Sequence, residues 1–195
     1  KTTTVNTLRK DLENIALCAP EVATPLITHL DITPDKPGGD FVGHPLFQEA
    51  MYKIQQSLED LSDQVARHTG KKAVILDKAR VEMAAHVLYD KLSLNEGKDF
   101  YKKMFGVSVE DVYNDYDLVL FLELPKKEIY EKIISNNPAR TGWSFEKSKL
   151  LGERVKEVWK DHPNFKVISS YETWEEKLKN IKETILEFLK NRPLS

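Results

Sequence analysis

This sequence predicts an α/β fold, a mostly parallel sheet with helices on both faces, on three observations. Strand-sized apolar runs alternate with longer amphipathic segments along nearly the whole chain. The run Tyr116–Leu124 (YDLVLFLEL) is almost continuously apolar, the pattern of a strand buried on both faces. The 195 residues, 41% of them hydrophobic, suffice for one domain with a sizeable core but not for two ordinary ones.

The elements follow in order. Val5, Leu8, Leu12 and Ile15 recur at intervals of three or four, which predicts a helix over 3–14. The apolar run 15–19 (IALCA) reads as a buried strand that Pro20-Glu21 ends, and 21–30 as a short helix kinked near Pro25. The Pro, Gly and Asp content of 31–44 marks a surface loop. A long helix over 45–68 buries Phe47, Met51, Ile54, Leu58, Leu61 and Val65, and Thr69-Gly70 stops it.

Lys72–Leu76 (KAVIL) is the next strand, with Asp77 at its end; 80–91 and 97–105 read as helices. Pro125 closes the strand at 116–124, a helix follows over 126–135, then a loop NNPARTGWS over 136–144 and a helix over 145–161. Phe165–Ser169 is a short strand, and a last helix over 173–190 buries Trp174, Leu178, Ile181, Ile185 and Phe188. No internal repeat or low-complexity tract is present.

Composition narrows the function classes. Lys plus Arg is 29 and Asp plus Glu 31, a net charge of −2, which argues against nucleic-acid binding driven by phosphate neutralisation. The apolar content excludes global disorder, and no run reaches the roughly 20 apolar residues of a membrane span. The single cysteine, Cys18, can form no internal disulfide and no zinc site, which predicts a reducing, cytoplasmic setting. The five histidines lack metal-ligand spacing and read as surface or capping residues, and no G-x-S-x-G elbow occurs.

Parallel sheets bind ligands beyond the carboxyl ends of their strands, so the polar residues there are the site candidates. Lys1 and Thr2, with Thr3 behind them, stand where a phosphate-binding loop G-x-x-x-x-G-K-[ST] runs into its helix. The Lys1 ammonium suits the β/γ-phosphates, the Thr2 hydroxyl suits Mg²⁺, and a helix N-terminus adds partial positive charge. A Thr is equally a common helix cap.

Asp77, after the strand AVIL, suits a Mg²⁺ ligand as well as a cap of the next helix. Glu21 suits a base for an acceptor hydroxyl or a first-turn helix charge. Arg140, in the loop before the 145–161 helix, and Arg154 within that helix suit transition-state charge stabilisation from a lid over about 136–155; a solvated Arg is the other reading. Lys78 and Arg80 are further cationic candidates. Trp143 suits packing or ligand stacking.

Taken together these pieces resemble the P-loop NTPases, in particular the NadR-like AAA ATPase/kinase domains related to nicotinamide riboside kinase and thymidylate-kinase-like proteins. The matching pieces are KTTTVNTL, APEVAT, FQEAMYKIQQSLED, VILDKAR, YDLVLFLELP and NPARTGWSFEKSKLLGERVKEVWKDHPNFKVIS, in that order over nearly all 195 residues. The resemblance implies a three-layer P-loop fold in a single domain, with the first strand and most of the phosphate loop missing ahead of Lys1. It implies binding of ATP (or GTP) with Mg²⁺: Lys1, Thr2 and Thr3 on the nucleotide, Thr2 and Asp77 on the metal, Arg140 and Arg154 in the lid. Related proteins often carry Asp-Arg-Gly where this chain has Asp77-Lys78-Ala79.

The function so implied is Mg²⁺-dependent transfer of the γ-phosphoryl group to a small acceptor, a nucleoside among the candidates, or to water. The alternatives are a nucleotide-binding regulatory module with little turnover, signalling to a protein partner, and a non-catalytic interaction domain that keeps the fold. The expected strand ahead of the phosphate loop is central to the sheet, so the chain is expected to be poorly stable by itself or to be part of a longer protein.

Overall fold

The computed structural model describes residues 2–32, 41–134, 142–171 and 173–191. Four strands are present among them: β1 (Ala16–Cys18), β2 (Ala73–Ile75), β3 (Val119–Leu122) and β4 (Phe165–Ile168). They form two separate parallel pairs in place of one sheet. β1 pairs with β2, Ala16 opposite Ala73 and Cys18 opposite Ile75. β3 pairs with β4, Val119 opposite Phe165 and Leu122 opposite Ile168.

The first helix, α1 (Thr2–Asp11), leads into β1. Its Val5 and Leu8, with Leu12 just after it, bury against Ala16 and Cys18 of β1 and against Ile181 and Ile185 of the last helix, α9 (Trp174–Asn191). Ile168 of β4 belongs to the same cluster, and Ala73, Ile75, Leu120 and Leu122 pack on it, so one apolar layer runs beneath both strand pairs. Val119, Phe121 and Phe165 turn the other way and pack on the larger core. This is the two-residue alternation of a strand with apolar contacts on both faces.

Between β1 and β2 lie α2 (Ala23–Leu30) and α3 (Pro45–His68). Pro25 falls in the first turn of α2, where its missing N–H costs nothing, so no kink follows. The bounds of α3 match the expected ones, and His44 caps it by accepting from the Leu46 N–H at 3.2 Å. Its buried stripe is rotated from the predicted one. Ile54, Leu61 and Val65 are largely exposed, whereas Gln48, Tyr52, Gln55, Ser62 and Ala66 are buried beside Phe47 and Met51. The buried amides are tolerated because they are bonded: Gln48 donates to the Val42 carbonyl and Gln55 to that of Lys78.

The helix expected over 80–91 is instead a 3₁₀ turn (Arg80–Glu82) and one turn of helix, α4 (Met83–His86). Val87 leaves in extended geometry and Leu88 takes a positive φ of 43°. Val81, Ala84 and Ala85 have no exposed surface, so the segment is enclosed all round and carries no amphipathic stripe to read. α5 (Leu94–Phe105) and α6 (Val109–Val112) each begin at a Ser capping box, Ser93 with Glu96 and Ser108 with Asp111. After β3 come α7 (Lys127–Ile134) and α8 (Phe145–Trp159). In α9, Ile181 and Ile185 are buried as expected, but Trp174 at the helix start is 39% exposed.

The histidine expectation is overturned at one position. His162 is buried, its Nε2 2.7 Å from the Tyr116 carbonyl oxygen and its ring edge-on to Tyr113 and Trp159. Cys18 is a small buried strand residue, as expected. Burial raises its thiol pKa, against a lowering influence from Arg9.

Candidate functional site

A cavity of about 1160 Å³ is lined by β2 and the residues after it (Ala73–Ala79) and by β3 (Leu118–Leu122). Thr4, Val5 and Leu8 of α1 form part of its wall, and Ile181, Ile185 and Leu189 of α9 another part. Asp77, Arg80 and Glu82 also line it, together with Glu59 from α3 and Asp115 from the 3₁₀ turn Tyr113–Asp115.

Asp77 therefore sits two residues beyond the end of β2 and lines the cavity that α1 also lines. The chain brings it there because β2 ends at Ile75 and the next turn is pinned to α3. Gln55 Nε2 donates to the Lys78 carbonyl at 2.8 Å and to Glu59 Oε1 at 3.0 Å.

Beside it lies a compact ionic cluster. Arg80 pairs with Glu59, both side chains about nine-tenths buried, and with the half-exposed Asp115. The Tyr116 hydroxyl donates to Glu59 at 2.9 and 3.0 Å, and the Arg80 N–H donates to that hydroxyl at 3.2 Å. Burial pushes the Glu59 carboxyl above its ordinary range, although Gln55, Arg80 and Tyr116 all pull it down. Burial, then the Glu59 charge, drives the Tyr116 phenol far above its ordinary value. Glu82, another cavity residue, is only 7% exposed.

The other predicted residues fall elsewhere. The Glu21 carboxylate accepts from the Thr24 N–H at 2.9 and 3.0 Å, holding the first turn of α2, and does not line the cavity. Arg154 donates from Nε to the Ala85 carbonyl and from Nη1 to that of Leu92, both at 2.8 Å, binding α8 to the α4 region. Burial lowers its pKa. Thr3 is exposed on α1, its carbonyl accepting from the Thr7 hydroxyl. Thr2 opens α1. Lys1 and Arg140 lie outside the described residues, as does much of the first half of the expected lid. Trp143 is buried, with the Lys147 ammonium 4.3 Å from its ring centroid.

Sequence reasoning missed Glu59, Glu82, Gln55 and Tyr116. A signal for the α3 pair existed: Gln48, Tyr52, Gln55, Glu59, Ser62 and Ala66 recur at helical spacing, a stripe overlooked because most of it is polar. Among the described residues no three His, Cys, Asp or Glu converge as metal ligands, and no helix is long and apolar enough to cross a membrane. No protein-family model and no curated protein matches the chain.

Proposed function

We propose that the chain is a P-loop-type nucleotide-binding domain of three layers that uses ATP (or GTP) with Mg²⁺ to phosphorylate a small acceptor, or water. One observation carries this reading: Asp77, just past the carboxyl end of a parallel strand, lines the same cavity as Thr4, Val5 and Leu8 of α1. Parallel α/β folds bind phosphates at a helix N-terminus beside such a strand end. The donor set suits the metal, because a carboxylate and a threonine hydroxyl are hard oxygen ligands.

In this reading Lys1 neutralises phosphate charge, while Thr2 and Asp77 hold Mg²⁺ directly or through water; Thr3 continues the nucleotide contact. The metal supplies charge neutralisation on the phosphates. Arg140 stabilises charge on the transferred group from the segment ahead of α8.

A regulatory module with little turnover is the second reading, and two contacts favour it. Arg154 already serves two backbone carbonyls, and Glu21 already serves a helix N–H. Fewer groups are then left for chemistry than for binding.

The test is titration of the protein with Mg-ATP and Mg-GTP, with and without EDTA, followed by ADP or GDP release with nucleoside acceptors. Metal-dependent binding that weakens at least about tenfold in Asp77→Asn is the expected result. Binding indifferent to Asp77, or none by a folded protein, overturns the reading. Tight binding without nucleotide hydrolysis or transfer selects the regulatory one.

A further inference from the structure

We infer that the exposed flank of α3 is a twofold interface, and that its occupant is the α3 of a second copy of this chain, running antiparallel. The inference is independent of the nucleotide reading. α3 carries three faces. One packs inward through Phe47, Met51, Gln55, Ser62 and Ala66. A second is a row of charges, Glu49, Lys53, Asp60, Asp63 and Arg67, at intervals of 4, 7, 3 and 4. The third is a band of Ala50, Ile54, Ser57, Leu58, Leu61 and Val65, also at helical spacing. All but the half-buried Leu58 are exposed, and none is charged.

A helix face turned to water ordinarily carries charge, as the second face does. On the third, Leu61 is 58% exposed and Ile54 and Val65 are 38% exposed each. The band runs about 22 Å along the helix. Exposed apolar rows with the charges set to one side have the anatomy of an interface, an uncharged centre beside a polar rim. The strip is one helix wide, at the small end of specific interfaces, so the pair it supports is reversible, with a dissociation constant of roughly ten micromolar or weaker.

The order of charges names the occupant. From the amino end the row reads negative at Glu49, positive at Lys53, negative at Asp60 and Asp63, and positive at Arg67. Set against its own reversal, about an axis between Ser57 and Leu58, each charge meets its opposite. Glu49 comes level with the second copy's Arg67, and Lys53 falls between the second copy's Asp60 and Asp63. The same register sets Ala50 against Val65 and Ile54 against Leu61, each pair occurring twice, as a twofold contact requires. Within one copy Lys53 already pairs with Glu49 at 2.6 Å and Arg67 with Asp63, so the contact joins two surface pairs into a network at the rim. A parallel twofold turns each charged row toward the body of the other copy, where it does not meet itself. The antiparallel one also opposes the two helix dipoles.

The test is sedimentation velocity of the 195-residue chain across a concentration series from about one to several hundred micromolar. A reversible monomer–dimer equilibrium is expected, weakened at least about tenfold by Leu61→Glu. Charge reversal reads the register. Lys53→Glu with Arg67→Glu makes the row wholly negative, and Glu49→Lys with Asp60→Lys and Asp63→Lys makes it wholly positive. Each variant alone is expected to stay monomeric and the two mixed to pair, with circular dichroism showing both folded. Cysteine cross-linking reads the direction. Ser57→Cys, beside the axis, is expected to link two copies on air oxidation; Gln64→Cys, whose two positions stand about 20 Å apart, is not. The native Cys18 is buried and is expected to stay unlinked. A monomer at every concentration overturns the inference, as does a dimer indifferent to Leu61→Glu. Equal linking of both cysteine variants overturns it in favour of a parallel pair. Association that continues past two copies overturns it as well, and a different protein that binds the monomer through Leu61 takes the place of the second copy. If the charge variants fail to fold, the cysteine pair still decides, because each alters one exposed, uncharged residue.

Discussion

Gln55, midway along α3, holds the carbonyl oxygen of Lys78 at 2.8 Å, the residue next to Asp77. A buried amide on a 24-residue helix thus fixes the turn that carries the candidate metal carboxylate. Replacing Gln55 by Ala removes this bond and one to Glu59. The expected loss is about 1–2 kcal/mol of stability, measured by urea unfolding. Gln55→Glu is expected to be worse, because it places a second carboxylate beside the buried Glu59.

Arg154 is expected to behave as a structural residue in stability measurements. Arg154→Met preserves much of the apolar stem but leaves the Ala85 and Leu92 carbonyls without their donors. A loss of about 3 kcal/mol is expected, and Arg154→Lys recovers only part of it because one ammonium cannot reproduce the fork. Unfolding midpoints of the two variants check this.

Gly97 lies where α5 crosses the α4 turn. A Cβ there stands 2.6 Å from the Ala84 carbonyl oxygen and 3.2 Å from Arg154 Nη2. The first clash is with backbone, which cannot rotate aside. Gly97→Ala is expected to cost roughly 1–3 kcal/mol despite the better helix propensity of alanine. A higher melting temperature in this variant contradicts the packing described.

Alkaline pH is expected to unfold the chain through its phenols. Burial raises the pKa of Tyr101, Tyr113 and Tyr116 above the ordinary value of 10, that of Tyr113 to about 12. The folded state then holds protons that the unfolded state releases, so the stability contributed is complete below pH 10 and is lost as pH rises through the folded values. Absorbance at alkaline pH should show some of the seven tyrosines titrating gradually and these three together with the loss of helical circular dichroism. Early, gradual titration of all seven contradicts this.

Periodicity and punctuation made most elements legible before any coordinates. α3 kept its expected bounds because it is long, regular and ended by Thr69-Gly70. Each of the four strands lies within the run expected for it, since short apolar runs flanked by Pro or Asp leave few alternatives. The α4 region was illegible because Val81, Ala84 and Ala85 bury every face at once. The separation of the strands into two pairs is a fact of long-range pairing, which no local pattern reports.

The candidate site divides the same way. Asp77 could be picked out because it directly follows the apolar run that ends at Leu76. Glu59 and Tyr116 could not, since their meeting joins residues 57 positions apart. The rotated stripe on α3 shows the reason: bonded amides can occupy a buried face, and hydrophobicity alone does not find them.

Cys18 is the chain's one cysteine, 7% exposed in β1 opposite Ile75. A thiol-modifying reagent added to native protein can therefore reach sulfur only when that strand parts from its neighbour. The rate of labelling becomes a clock for local opening of this corner, read at a single atom with no engineered probe.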